Sequence, residues 1–234
     1  MCFPALAALP YAILQRLSSP SAGIARTIAK QRRGKRNAFF RSRAGPLREE
    51  EERQSAKVVG VERVEFLTHP DGIIEYGIPL RRDIAGAIRR YRPDVVITSN
   101  YHLTWSDGSF NMADHRAVGL AVLDAVRDAA NRWMFPEQLE AGLQPWRHVR
   151  WILVESPPAP THAVDVTPYM NAGVASLEKH RMYIDNLGYD FDPRGFLTSV
   201  LAPIGARCGC DYAVAFEVHD LGGTLGTAAV TSES

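Results

Sequence analysis

Two short stretches of this 234-residue chain place side chains able to do chemistry close together. In NMADHRAVG, residues 111–119, Asp114 and His115 stand side by side just before an apolar-periodic run. A carboxylate and an imidazole in the first turn of a helix meet its free amides and the positive end of its dipole. That setting suits an anion, a metal-bound hydroxide, or a zinc ion held by the imidazole. The same pair can also be structural, with Asp114 capping the helix and His115 on the surface. In FLTHPDG, residues 66–72, His69 and Asp71 lie two apart on a Pro-Gly turn and look like half of a metal site.

The remaining candidates carry less. His102 follows a strand end and could line a pocket, and His162 sits in THAVDVT beside another strand. His148, His180 and His219 read as ordinary surface histidines. Cys208 and Cys210 form a CGC that offers a soft metal only two ligands.

The elements that must position these groups follow from periodicity and punctuation. PLREEEERQSAKVVG reads as a helix opening at Pro46, with acids in its first turn and Gly60 at its end. VERVEFLT reads as a short strand leading to the Pro-Asp-Gly turn. Leu80, Ile84, Ala87, Ile88 and Tyr91 recur at helical spacing, and Pro93 ends that run before the buried-type strand DVVITS. Val118, Val122, Leu123 and Val126 mark the strongest helix, and VRWILVE, HAVDVT and YAVAFEV read as strands. Residues 168–187 read as one further helix. Strands alternating with helices predict an α/β, Rossmann-like fold: a mainly parallel sheet flanked by helices, with ligands outside the strands' carboxyl ends. The loops HPDG, NYHLTWSDGSFNMADH and SPPAPTH leave such ends and should converge.

Composition narrows the class. Apolar content of 46% and a charged fraction of 23% are those of a globular domain, and the length suits a single core. The net charge is +1, yet residues 1–46 hold nine Lys or Arg and no acid, which leaves −8 on residues 47–234. An acidic body argues against nucleic acid as the main ligand, and no apolar run is long enough to span a bilayer. Three cysteines make no disulfide framework, so a cytoplasmic setting is expected.

From about Gly45 to Val218 the chain resembles the PIG-L/LmbE family of zinc-dependent N-acetylglucosaminyl deacetylases, in particular its actinobacterial branch. The stretches that carry the likeness are GPLREEEERQSAKVVGVERVEFLTHPDG, LRRDIAGAIRRYRPDVVITSNYH, ADHRAVGLAVLDAV and THAVDVT. The resemblance implies a small amino-sugar substrate, a zinc ion and hydrolysis of an acetamide. It places His115 as a metal ligand and Asp114 as the carboxylate that tunes the site. Arg48, Asp71, His102 and His162 fall at positions expected to meet substrate. The family's other two zinc ligands come from an upstream His-Pro-Asp-Asp motif, which residues 1–45 lack. Met112 stands where the family has a further histidine. His69 belongs to the family's later Pro-Asp-Gly turn rather than to its metal motif. The expected organisation is a basic, poorly ordered segment over 1–44, an α/β domain over 45–225 whose first strand is lost or replaced, and a flexible tail over 226–234. Out-of-frame translation of residues 1 to about 43 would account for their acid-free character.

Overall fold

The computed structural model describes residues 38–222. Four strands form one sheet in the order β1-β2-β4-β3: β1 (Val95–Ser99), β2 (Trp151–Glu155), β3 (His162–Asp165) and β4 (Ala213–Asp220). The α/β class and the helix-flanked sheet agree with the sequence reading. The sheet itself is mixed. β1 and β2 run parallel, paired from Val95↔Trp151 to Ser99↔Glu155, whereas β4 lies antiparallel between β2 and β3. Apolar patterning marks a strand without giving its direction; that is set by how the connecting segment returns to the sheet.

One face of the sheet is covered by α2 (Ile78–Tyr91) and α3 (Ala113–Ala130). Leu80, Ile84, Ala85 and Ile88 form the buried stripe of α2, and Ala121, Val122, Ala125, Val126 and Ala129 that of α3. They enclose Ile152 and pack against Val96. The other face is covered by α5 (Met170–Leu177) and α7 (Pro193–Cys208), whose Met170, Val174, Leu177, Leu197 and Leu201 meet Leu153, Val214 and Phe216. Each fully buried aliphatic of this kind contributes roughly 1.5–3 kcal/mol. The short helices α4 (Pro136–Glu140) and α6 (Arg181–Asp185) complete the helical set among the described residues.

Several expectations change in detail. The first helix, α1, runs Ala38–Val58 with Pro46 inside it rather than at its start. Proline is common at a helix start, where its missing amide costs nothing; inside a helix it removes a single amide donor. Residues 61–68 form no strand of the four-stranded sheet. The single helix expected over 168–187 divides into a 3₁₀ turn (Thr167–Tyr169), α5 and α6. At the break between α5 and α6, His180 turns inward and becomes buried, with Nε2 3.8 Å from buried Glu52 of α1. It is therefore not the surface histidine that its sequence context predicts. The strand expected to be lost or replaced falls upstream of the described residues.

Helix α7 was not read from the sequence, although its punctuation is complete. Asp192 caps it by accepting from the Arg194 amide at 3.0 Å, Pro193 opens it, and Gly209 closes it at φ 76°. Arg89, in the last turn of α2, is marked by no sequence pattern. It is fully buried and donates to the carbonyls of Asp128, Ala129, Asn131, Met134 and Phe135 and to Gln138 Oε1, gathering the carboxyl end of α3 around one guanidinium.

Candidate functional site

The Pro-Asp-Gly turn and the start of α3 meet. Gly72 adopts φ 83° and directs its amide to Asp114 Oδ2 at 2.8 Å. Asp114 Oδ1 accepts the His115 amide at 3.0 Å. Met112, the N-cap residue, supplies no side-chain cap, so the Asp114 carboxylate takes up amides from both the helix start and the turn. Asp71, Asp114 and His115 are all buried, at 4%, 4% and 2% exposure. The His115 ring lies edge-on to Trp105, 5.8 Å between centroids at 85°. His69, on the same turn, points elsewhere: its Nε2 lies 2.9 Å from Asp83 Oδ2 of α2. That pairing gives a structural role to the imidazole that looked like half of a metal motif.

The loop from β1 to α3, residues 100–112, is tied to itself. Asn100 accepts the His102 amide at 2.8 Å and donates to Thr104 O at 2.9 Å. Asn111 donates to Asn100 O at 2.7 Å and to His102 O at 3.1 Å. Two buried asparagines thereby close the loop at its neck and carry Trp105 back over His115.

His102 is held by a residue that the sequence reading passed over. Its Nε2 lies 2.5 Å from Glu217 Oε2 of β4, and Tyr101 Oη donates to Glu217 Oε1 at 2.8 Å. His219 Nε2 lies 3.0 Å from the same Oε1, so His219 too belongs to a polar cluster and is not an isolated surface residue. Desolvation acts to raise the Glu217 carboxyl, but the donors from His102 and Tyr101 outweigh it and hold the group below its usual range. Desolvation and the hydrogen bond to Glu217 push the Tyr101 phenol up to about 12. A carboxylate two residues from a histidine on a strand was the available signal.

The other two candidates lie in different surroundings. Arg48 of α1 stands 5.7 Å from the centroid of the Tyr183 ring, near Glu52 and His180. His162 opens β3 with an exposed ring, its Nδ1 2.9 Å from Thr161 Oγ1. Glu155, at the carboxyl end of β2 and in register with Ser99, was not singled out by sequence. Part of the residue stays accessible, yet burial of its carboxyl pushes that group up to about 7.

The donor set does not fit the zinc site that the sequence resemblance implies. Among the described residues no three His, Cys, Asp or Glu side chains are grouped to hold a metal ion. Outside the described residues, 1–37 offer only Cys2 from this donor set and 223–234 only Glu233. His115 with Asp114 is thus at most part of a tetrahedral site, which needs three protein donors even in its open, catalytic form.

Residues 17–126 match the family model for PIG-L, described as GlcNAc-PI de-N-acetylase. Asp71, Gly72, Asp114 and His115 all fall inside the matched range. The chain is 27% identical over 165 residues to the diacetylchitobiose deacetylase of Thermococcus kodakarensis, covering 70% of this chain and 59% of that protein. It thus spans under two thirds of that relative's length. Among solved structures it is similar to the N,N′-diacetylchitobiose deacetylase of Pyrococcus horikoshii complexed with an inhibitor, with a TM-score of 0.66 and 22% identity over 80% of this chain and 68% of that one. It is also similar to GalB, the 4-carboxy-2-hydroxymuconate hydratase of Pseudomonas putida, with a TM-score of 0.60 and 16% identity over 80% of this chain and 75% of that one. Likeness at these identities shows the fold alone, and the fold serves more than one reaction. No helix among the described residues is long and apolar enough to cross a membrane.

Proposed function

We propose that this chain recognises an N-acetylglucosamine-type amide at the junction of the 69–72 turn and the first turn of α3, and that in its 234-residue form it binds the sugar without hydrolysing it. The reading is carried by the hydrogen bond from Gly72 to Asp114, which joins two stretches of the PIG-L match beside the buried His115. The deacetylase relative adds the substrate class. In this reading Asp71 and His102 meet sugar hydroxyls, Asp114 fixes the turn, and His115 faces the acetamide. Arg48 and His162 are peripheral, at the α1–α6 contact and the β3 edge.

Deacetylation adds water across the amide: the C–N bond breaks, acetate forms, and the amine takes a proton. The implied zinc would supply the activated water, and among the described residues no three donors are grouped to hold it. No step of hydrolysis is therefore assigned to these residues. Calorimetric titration with N,N′-diacetylchitobiose tests the binding claim. Saturable binding that is lost in Asp71→Ala and in His115→Ala is expected. No heat of binding, or equal binding by both variants, would overturn it.

A further inference from the structure

We infer that Glu217 is a positioning residue that fixes His102 in one tautomer and aims its remaining ring nitrogen at a hydroxyl group of a bound sugar. The inference rests on the proposed amino-sugar site and adds the device that orients one of its contacts.

Glu217 projects from β4, paired across the sheet with Val154 of β2. Its two oxygens face three groups: Tyr101 Oη at 2.8 Å and His219 Nε2 at 3.0 Å on Oε1, and His102 Nε2 at 2.5 Å on Oε2. An ionised carboxylate can only accept, so the imidazole nitrogen against it must carry a hydrogen. A neutral His102 is then the Nε2–H tautomer, with its Nδ1 lone pair directed away from the Glu217 carboxylate. This is the arrangement by which a carboxylate sets a histidine's orientation and basicity for a third group.

Three further observations leave His102 Nδ1 for a ligand. Among the described residues it has no protein hydrogen-bond partner. The side chain is 33% exposed, whereas His115 and His180 are buried. Tyr101 stacks on one face of the ring, with centroids 4.2 Å apart and planes 28° apart, which leaves in-plane approach to Nδ1. The backbone of His102 is meanwhile fixed from both sides, its amide by Asn100 and its carbonyl by Asn111. A rigid acceptor of this kind, on the loop that carries Trp105 to His115, suits a neutral hydroxyl donor such as a sugar provides.

The test is ¹⁵N NMR of the histidine rings in the full chain, with His102 assigned by loss of its signal in His102→Asn. The wild-type protein is expected to show His102 as the Nε2–H tautomer. N,N′-diacetylchitobiose is expected to shift the Nδ1 resonance selectively. In Glu217→Gln, whose amide can donate to Nε2, the tautomer should invert and sugar affinity should fall about tenfold, the value of one hydrogen bond. An Nδ1–H tautomer in the wild type overturns the inference, as does an unchanged ring in Glu217→Gln. If Glu217→Gln does not fold, the wild-type tautomer and its response to sugar decide alone. If no sugar binds while the tautomer is as expected, the proposed function and the hydroxyl contact both fall, and the effect of Glu217→Gln on the tautomer still decides Glu217's role.

Discussion

Gly119 of α3 lies directly against the Ser99 carbonyl of β1: a Cβ built on Gly119 would come 2.5 Å from that oxygen and 2.9 Å from Tyr101 Cβ. The helix that begins with Asp114 and His115 is therefore seated on the strand end that launches the 100–112 loop, and the absent side chain sets the separation.

Gly119→Ala is expected to destabilise the fold although alanine is the better helix former. The gain in propensity is about 1 kcal/mol, whereas forcing a methyl group into backbone costs roughly 1–3 kcal/mol and must shift the helix or the loop. A lower Tm, by several degrees, with altered Trp105 fluorescence is the expected readout. A raised Tm would mean that the two backbones separate freely.

Asp114 joins the turn to the helix through two amides. Asp114→Ala should cost about 1–2 kcal/mol in denaturant unfolding, in the range of a lost helix cap, and Asp114→Asn less, since one acceptor oxygen remains. Equal stability of all three proteins would show that the carboxylate does not bind the turn to the helix.

Arg89 closes the end of α3 opposite the candidate site. Arg89→Lys retains charge but replaces a planar fork with a single ammonium, leaving most of the gathered carbonyls unmet. The expected loss is about 3 kcal/mol by chemical denaturation. A loss below about 0.5 kcal/mol, the ordinary range for surface substitutions, would contradict the capping role.

Stability should pass through a maximum in mildly acid solution. Burial raises Glu52 and Glu155 to about 7, so the folded state holds protons that the unfolded chain has released. Their contribution is complete below the unfolded value of 4.5 and is lost as pH rises through 7. His180 has the opposite sense: desolvation and then Arg48 lower it to about 4. Its contribution is complete above 6.5 and is lost as pH falls through 4. Glu155→Gln is expected to raise Tm at pH 8 and to change it little at pH 4. The reverse pattern would show that the carboxyl is not destabilised by burial.

Much of the fold was legible because its signals are local. The stripe Leu80, Ile84, Ile88 and the run Val118, Val122, Val126 predict helices that the structure contains, and Pro93 and Gly60 mark real ends. Helix α7 was legible in Asp192, Pro193 and Gly209 but lacks a clean apolar period, and its register only becomes plain when Leu197 and Leu201 are seen against Phe216. The site divides in the same way. Asp114 and His115 could be found from a helix start and Asp71 from its turn, whereas their meeting depends on a hydrogen bond between residues 42 apart. The partnership of His102 with Glu217 spans 115 residues and two strands, and no local pattern encodes it.

On the proposed reading the chain binds an amino sugar, while its described residues group no three donors for zinc. The most direct test is acetate release from N,N′-diacetylchitobiose by the purified 234-residue protein supplied with zinc, with bound metal measured in the same sample. Sugar binding, zinc well below one per chain, and no acetate above the protein-free control are expected. Sustained acetate release by protein holding one zinc per chain would contradict this reading.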